Sequence, residues 1–253
     1  MKFTFLGTGT SGGVPSLGCH CAVCRSRDPH DRRLRTAGLL ETDTTRILID
    51  SGPDIRQQLM PYDFKALNGV LITHIHYDHV AGIDDLRPFC VFGAIPIYAD
   101  RVTASLLKQT MPYCFTEKLY PGAPLLDLHP IAPHEPLSIG NVEIIPINVM
   151  HASLPILGYR IGSFAYITDM KTIDDDELPY LERVETLVVN ALRVEPQHHS
   201  HMLVSEAIDF SQRIGARQTY LVHMNHQIGF HDKVNRLLPQ NVRLAYDGLQ
   251  IEI

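Results

Sequence analysis

The 253-residue chain has no tryptophan and only five cysteines, and no apolar run in it approaches the ~20 residues that a membrane-spanning helix requires. The missing span argues against a membrane partner. The N-terminal stretch MKFTFLGTG also lacks an apolar signal-peptide core, so the expected compartment is the cytoplasm. Five is an odd count, and in a reducing compartment clustered thiols hold a metal more often than they build a disulfide framework. Positive charge is short as well: 22 Lys and Arg against 28 Asp and Glu leave a net charge of −6. That balance argues against a nucleic-acid partner, although Arg25, Arg27, Arg32, Arg33 and Arg35 form a local basic cluster. A small phosphorylated substrate remains compatible with it. The basic cluster reads as a solvated charge run, with a hold on a distal phosphate as the alternative.

What is present points to a packed globular chain, 45% hydrophobic and 20% charged with mixed signs, read as one domain over residues 1–253 without a linker. Histidine is the anomaly. The chain carries 14, bunched at 74–79, 198–201 and 223–231.

Apolar periodicity places these bunches at the ends of elements. KFTFLG reads as a short strand running into a glycine-rich loop, TTRILIDSG (44–52) as a second strand with a turn, and GVLITHIHYDH (69–79) as a buried third strand ending in histidines. AIPIYAD (94–100) precedes a helix over about 101–110. NVEIIPINVMH (141–151) is an apolar strand ending on a histidine, SFAYITDM (163–170) a strand ending on an aspartate, and TLVVNAL (186–192) follows the same pattern. Residues 201–214 carry an apolar stripe of Leu203, Val204, Ala207, Ile208 and Ile214 and read as a helix. QTYLVHMNH (218–226) is the last buried strand, and VRLAYDGLQIEI closes the chain. Interleaved strands and helices imply sheet layers covered by helices.

GTGTSG (7–12) matches the GxGxxG dinucleotide fingerprint, but Val14-Pro15 and a cysteine cluster follow where that fingerprint needs a helix. The glycines read instead as a tight turn near the active site. THIHYDH is far more specific. In an extended segment, His74 and His76 project to one side, while Asp78 and His79 fall on the turn beyond and face back. Imidazole and carboxylate together suit zinc, manganese or iron. One short segment cannot surround two ions, and further ligand types stand at other strand ends: His151, Asp169 and His223.

HxHxDH followed by a distant His, Asp and His resembles the metallo-β-lactamase superfamily over essentially the whole chain. With GCHCAVC (18–24), it is similar more narrowly to the phosphoribosyl cyclic phosphodiesterases, relatives of the tRNA 3′-processing endonucleases. The resemblance implies an α/β fold, an αββα sandwich with metals at one edge. It implies that His74, His76 and His151 hold one divalent ion, manganese or zinc, and that Asp78, His79 and His223 hold a second, with Asp169 bridging. It also implies a structural zinc closed by Cys19, Cys21, Cys24 and His226, leaving Cys90 and Cys114 as plain side chains. Asp50 would orient a ligand histidine by accepting its other ring N–H; its alternative is a turn-forming aspartate.

By the same resemblance, the enzyme is a metal-dependent hydrolase that opens a small ribosyl 1,2-cyclic phosphate with a hydroxide shared by the two ions, and it points to a homodimer. Its candidate catalytic side chains are His201 and Asp78. His201 opens the helix HMLVSEA and protonates the leaving oxygen, and His198 and His199 read as bystanders. Two rivals are weighed: a tRNA 3′-processing endoribonuclease, whose long glycine- or proline-rich arm has no counterpart here, and a non-catalytic zinc-stapled binding protein.

Overall fold

Period-two alternation along the strands decides the layering. In β1 (Lys2–Gly7), Phe3 and Phe5 point to one apolar cluster and Leu6 to another. In β2 (Ala37–Glu41) and β3 (Arg46–Ile49), Leu40, Ile47 and Ile49 join the first cluster while Leu39 and Leu48 join the second. A sheet that is apolar on both faces must be covered on both.

The chain is described by a computed structural model over residues 1–115 and 122–253. After β3 come the helix α1 (Ile55–Leu59), β4 (Gly69–Leu71), the helical turn α2 (Tyr77–Val80), β5 (Ile95–Asp100), the helix α3 (Arg101–Thr110) and β6 (Leu126–Ile131). The second half runs through β7 (Leu137–Ile139), β8 (Val142–His151), β9 (Leu154–Ile161), β10 (Phe164–Ile167), β11 (Thr186–Asn190), α4 (Val204–Ile214), β12 (Gln218–Val222), α5 (His231–Asn235), β13 (Val242–Leu244) and β14 (Gln250–Glu252). These strands build two seven-stranded sheets, ordered β14-β1-β2-β3-β4-β5-β6 and β13-β12-β11-β10-β9-β8-β7. In each, one half is antiparallel and the other parallel: β3 to β6 in the first, β10 to β13 in the second.

The inner core lies between the sheets, where Phe3, Phe5 and Ile49 meet Tyr159, Phe164 and Tyr166. Phe3 and Phe164 have ring centroids 4.9 Å apart. Each such buried side chain contributes about 1.5–3 kcal/mol of transfer free energy. Outside the first sheet, Ala104 and Leu107 of α3 cover Leu39, Leu48 and Ile97; outside the second, Val204, Ala207 and Phe210 of α4 cover Ala165, Leu187 and Leu221. This is the αββα sandwich that the resemblance implies. Among the described residues, no helix is long and apolar enough to cross a membrane.

Several elements differ from the expectation. The strand read over 69–79 ends at Leu71, because the amide of Thr73 donates to Asp50 at 2.8 Å and leaves the ladder. Residues 72–76 form a loop, and Asp78 and His79 sit in α2. The helix read from 201 begins at Val204: Met202 pairs its backbone with Met170 and Leu192, and the Glu206 carboxylate caps the Leu203 amide at 2.7 Å. His201 therefore lies in the bend ahead of the helix and does not open it. QTYLV is not the last buried strand either, since β13 pairs in parallel beside it with Val242 and Leu244 buried. β2, β6, β7 and β9 have no counterpart in the sequence reading.

Candidate active site

Most of the implied ligands lie at, or just beyond, the carboxyl end of a strand, on one edge of the sandwich. His74 and His76 follow β4, His151 ends β8, Asp169 follows β10 and His223 follows β12. Crevices outside the carboxyl ends of parallel strands are where open α/β sheets place their sites. Asp50, Asp169 and His223 adopt left-handed backbone, with φ of 62°, 56° and 57°. For residues with a Cβ this conformation costs roughly 1–2 kcal/mol each. The three reversals share this edge, a concentration of strain typical of functional sites.

The geometry gathers two groups joined by a third. The ligating atoms of His74, His76 and His151 lie within 4.8 Å of one another, as do those of Asp78, His79 and His223, and His74, His79 and Asp169 form a third set between them. His223 Nε2 stands 3.0 Å from Asp169 Oδ1 and 3.3 Å from Asp78 Oδ2. His79 Nε2 stands 3.3 and 3.2 Å from the Oδ2 atoms of Asp78 and Asp169.

Hydrogen-bond polarity says which ring nitrogens are bare. Backbone carbonyls only accept, and His151 Nδ1 faces those of Asp169 and Ser200 at 2.8 and 2.9 Å, so it carries the proton and leaves Nε2 bare. Asp50 accepts from His79 Nδ1 at 2.7 Å and from the Thr73 hydroxyl at 2.9 Å. With its only proton on Asp50, that hydroxyl accepts from His74 Nδ1 at 3.0 Å, so His74 Nε2 is bare as well. His79 Nε2 is buried without a hydrogen bond among the described residues. A lone pair aimed at two carboxylates is repulsive unless a cation or proton lies between them, so the donor set fits divalent metal. Asp50 thus orients His79 directly and His74 through Thr73. Its turn-forming alternative holds too, since its own φ is left-handed.

The charges respond to this crowding. Burial lowers His74 and His76, with His79 and His151 adding to it. Burial also disfavours the charged forms of Asp78 and Asp169, but the neighbouring His79 and His223 outweigh it and hold both carboxyls well below their usual range. His223, opposed by burial but faced by Asp169 and Asp78, is raised to about 9.

His201 Nε2 lies 2.9 Å from Asp169 Oδ1, at the rim of the same cluster. Burial pushes this imidazole down to about 4 against the pull of Asp169. His198 is no bystander: its Nδ1 lies 3.2 Å from His201 Nδ1. His199 is exposed and touches the cluster only through its ring, 4.5 Å from that of His198. Thr73 and Ser200 were not singled out in the sequence, although each adjoins a histidine that was, and His198 was read there as a bystander.

The four donors Cys19, Cys21, Cys24 and His226 also fall within 4.8 Å of one another, a soft four-donor set suited to zinc. His226 Nδ1 is 3.4 Å from Cys21 Sγ and 3.7 Å from Cys19 Sγ. The Cys24 amide, donating to Cys21 Sγ, draws that thiol down to about 6, whereas burial pushes Cys24 up to about 11. His226 lies three residues beyond His223, so this group of donors brings the N-terminal loop to the end of β12 that carries His223. The glycine turn reinforces the tie, with the Thr10 amide on the Met224 carbonyl at 3.0 Å. Arg33 departs from the solvated reading of the basic cluster. It is 3% exposed and donates to Thr8 Oγ1, the Ala245 carbonyl and His231 Nδ1.

The sequence pattern of the beta-lactamase superfamily domain matches residues 45–224, spanning THIHYDH, His151, Asp169 and His223. A crystallised diphosphatase of the PhnP family is 36% identical, with 99% of this chain and 96% of that one covered and a TM-score of 0.91. The chain belongs to the metallo-β-lactamase superfamily and, within it, to the PhnP-like family. It is a metal-dependent hydrolase by that membership. An octanoyltransferase of Porphyromonas gingivalis is 42% identical over 99% of this chain but only 51% of its own length. The chain therefore spans about half of that relative, whose name describes the longer protein. Zinc-bound PqqB from Methylobacterium extorquens, 19% identical with a TM-score of 0.82 and full coverage of both chains, shares the fold.

Proposed function

We propose that this protein is a dinuclear-metal phosphodiesterase that opens a small cyclic phosphodiester, of the ribosyl 1,2-cyclic phosphate type, to a phosphomonoester. The observation that carries this reading is the set of ring nitrogens of His74, His79 and His151 left bare by the partners behind them, clustered with Asp78, Asp169 and the rings of His76 and His223. His74, His76 and His151 would hold one ion and Asp78, His79 and His223 the other, manganese or zinc, with Asp169 between them; a third ion, zinc, belongs to the cysteine knuckle. Bound there, the two ions supply Lewis acidity to the phosphoryl oxygens and a water of lowered pKa.

The chain's own residues do the rest. Asp50, Thr73 and the carbonyls of Asp169 and Ser200 keep the ligand rings in one orientation. His201 stands beside the bridging carboxylate with Nε2 facing the reacting centre. Burial keeps it neutral at rest, and an anionic phosphate arriving against Nε2 favours its charged form. The leaving oxygen then takes its proton from Nε2, a contribution on the order of 10²–10⁴-fold.

The similarity to a PhnP-family diphosphatase supports a small phosphorylated substrate, and the net charge of −6 weighs against the tRNA-processing reading. Metal analysis followed by rates on cyclic diesters, a linear diester and precursor tRNA tests the assignment. Fastest turnover of the cyclic diester is expected; inert cyclic substrates with full metal occupancy would refute it.

A further inference from the structure

A groove of about 520 Å³, in the size range of small-molecule sites, is lined from α1, the segment after it and the 3₁₀ helix Ile83–Phe92. None of its lining residues belongs to the proposed metal set. Its walls are apolar, formed by Ile55, Leu59, Met60, Phe64 and Phe89. Met60 and Phe64 remain 70% and 55% exposed, although the Phe64 ring lies only 4.9 Å from that of Phe89. Covering such a patch with an apolar ligand is favourable.

Among the described residues, the one buried charge on the lining is Arg46, 5% exposed. Its Nη1 donates to the Asp63 carbonyl at 2.7 Å and its Nε lies 3.2 Å from Glu41, but its Nη2 has no hydrogen-bond partner among the described residues. The Tyr62 hydroxyl, on the same lining, likewise donates to no acceptor among them. Glu41 is shared with Lys2 at 3.0 Å, so this end keeps one positive charge in excess. The acids of the lining do not cancel it. Asp63 and Asp84 are matched by Lys65 at 2.8 Å and Arg87 at 2.7 Å, and the exposed Asp85 and Arg56 offset each other. Charges in a buried setting act more strongly than charges in water, so Arg46 sets the sign of the ligand.

We propose that this groove binds an aliphatic carboxylate, with its head on Arg46 Nη2 and the Tyr62 hydroxyl and its chain along Leu59, Met60, Phe64 and Phe89. Two unclaimed donors match the two oxygens of a carboxylate, whereas a phosphate dianion calls for more. The unbranched Met60 side chain adapts to a bending chain better than to a rigid plane. Binding here makes and breaks no covalent bond, and failure of the phosphodiesterase reading leaves the site untouched.

Isothermal titration of the zinc-loaded protein with hexanoate, octanoate and decanoate, below their micelle concentrations, is the test. Affinity should rise by up to about fourfold for each added CH₂ that enters the groove. Decyltrimethylammonium, with the same chain and the opposite charge, should bind at least about tenfold more weakly than decanoate. Arg46→Gln should weaken decanoate by about tenfold or more, the worth of a hydrogen bond to a charged group. Because Arg46 also holds the Asp63 carbonyl, Met60→Glu and Phe64→Glu, at exposed positions that tolerate charge, carry the test if Arg46→Gln does not fold; each should weaken decanoate to a similar degree. Affinity independent of chain length, decyltrimethylammonium binding as tightly as decanoate, or decanoate binding unchanged in Met60→Glu and Phe64→Glu, as it would be for a carboxylate on the active-site zinc, would overturn the proposal. So would a dimer in sedimentation that Phe64→Glu splits, since a second copy would then cover the groove.

Discussion

Asp50→Asn isolates hydrogen-bond polarity from shape. Asp50 is fully buried and accepts from His79 Nδ1, the Thr73 hydroxyl and the Thr73 amide, at 2.7, 2.9 and 2.8 Å. Asparagine has the same outline and tolerates the left-handed φ of 62° at this position. Its oxygen still serves the Thr73 amide, but its NH₂ now meets two groups that donate. The simplest relief moves the His79 proton to Nε2, the atom that must be bare toward Asp78 and Asp169. Loss of such an outer hydrogen-bond partner typically costs 10–100-fold in metal affinity, about 1.4–2.8 kcal/mol. Competition with a chromophoric chelator on stripped and refilled protein would measure it, with the zinc proposed at Cys19, Cys21, Cys24 and His226 as an internal control. Affinity at the histidine cluster within about threefold of wild type would refute the orienting role.

Other outcomes follow from the same geometry. His223 is raised to about 9 in the metal-free site, above the ~6.5 of an unfolded chain, so its contribution is full below pH ~6.5 and is lost as pH rises through about 9. Metal-free protein should therefore lose about 3 kcal/mol between those limits in a thermal melt, and metal-loaded protein should not. Asp169→Ala should abolish hydrolysis while circular dichroism stays native-like; retained turnover would remove the bridging assignment. Cys21→Ser should release one zinc per chain and lower the melting temperature by about 6 °C, corresponding to roughly 2–3 kcal/mol. A variant as stable as wild type would remove the knuckle's structural role.

The implied ligands were legible because each ends or follows an apolar run whose periodicity is strong, and the cysteines because three stand within six positions. What stayed hidden depends on contacts distant in sequence. Thr73 reads as an ordinary strand residue until Asp50, 23 positions away, takes its amide. The start of α4 moved because residues 202 and 203 answer to partners outside the helix, which an apolar stripe cannot show. Strand β9, LPILGYRI, carries buried residues on both faces and so lacks the alternation that marks a half-exposed strand. Arg33 looked like one of five surface charges, and only the approach of His231 and Ala245 shows why it is buried.

In the proposed enzyme, His74, His76, Asp78, His79, His151, Asp169 and His223 together hold two neighbouring divalent ions. Anomalous diffraction from crystals of the metal-loaded protein tests it most directly. Two peaks within this cradle, and a third among Cys19, Cys21, Cys24 and His226, are predicted. A map with the knuckle filled but no ion between Asp78 and Asp169, after saturation with manganese or zinc, would contradict it.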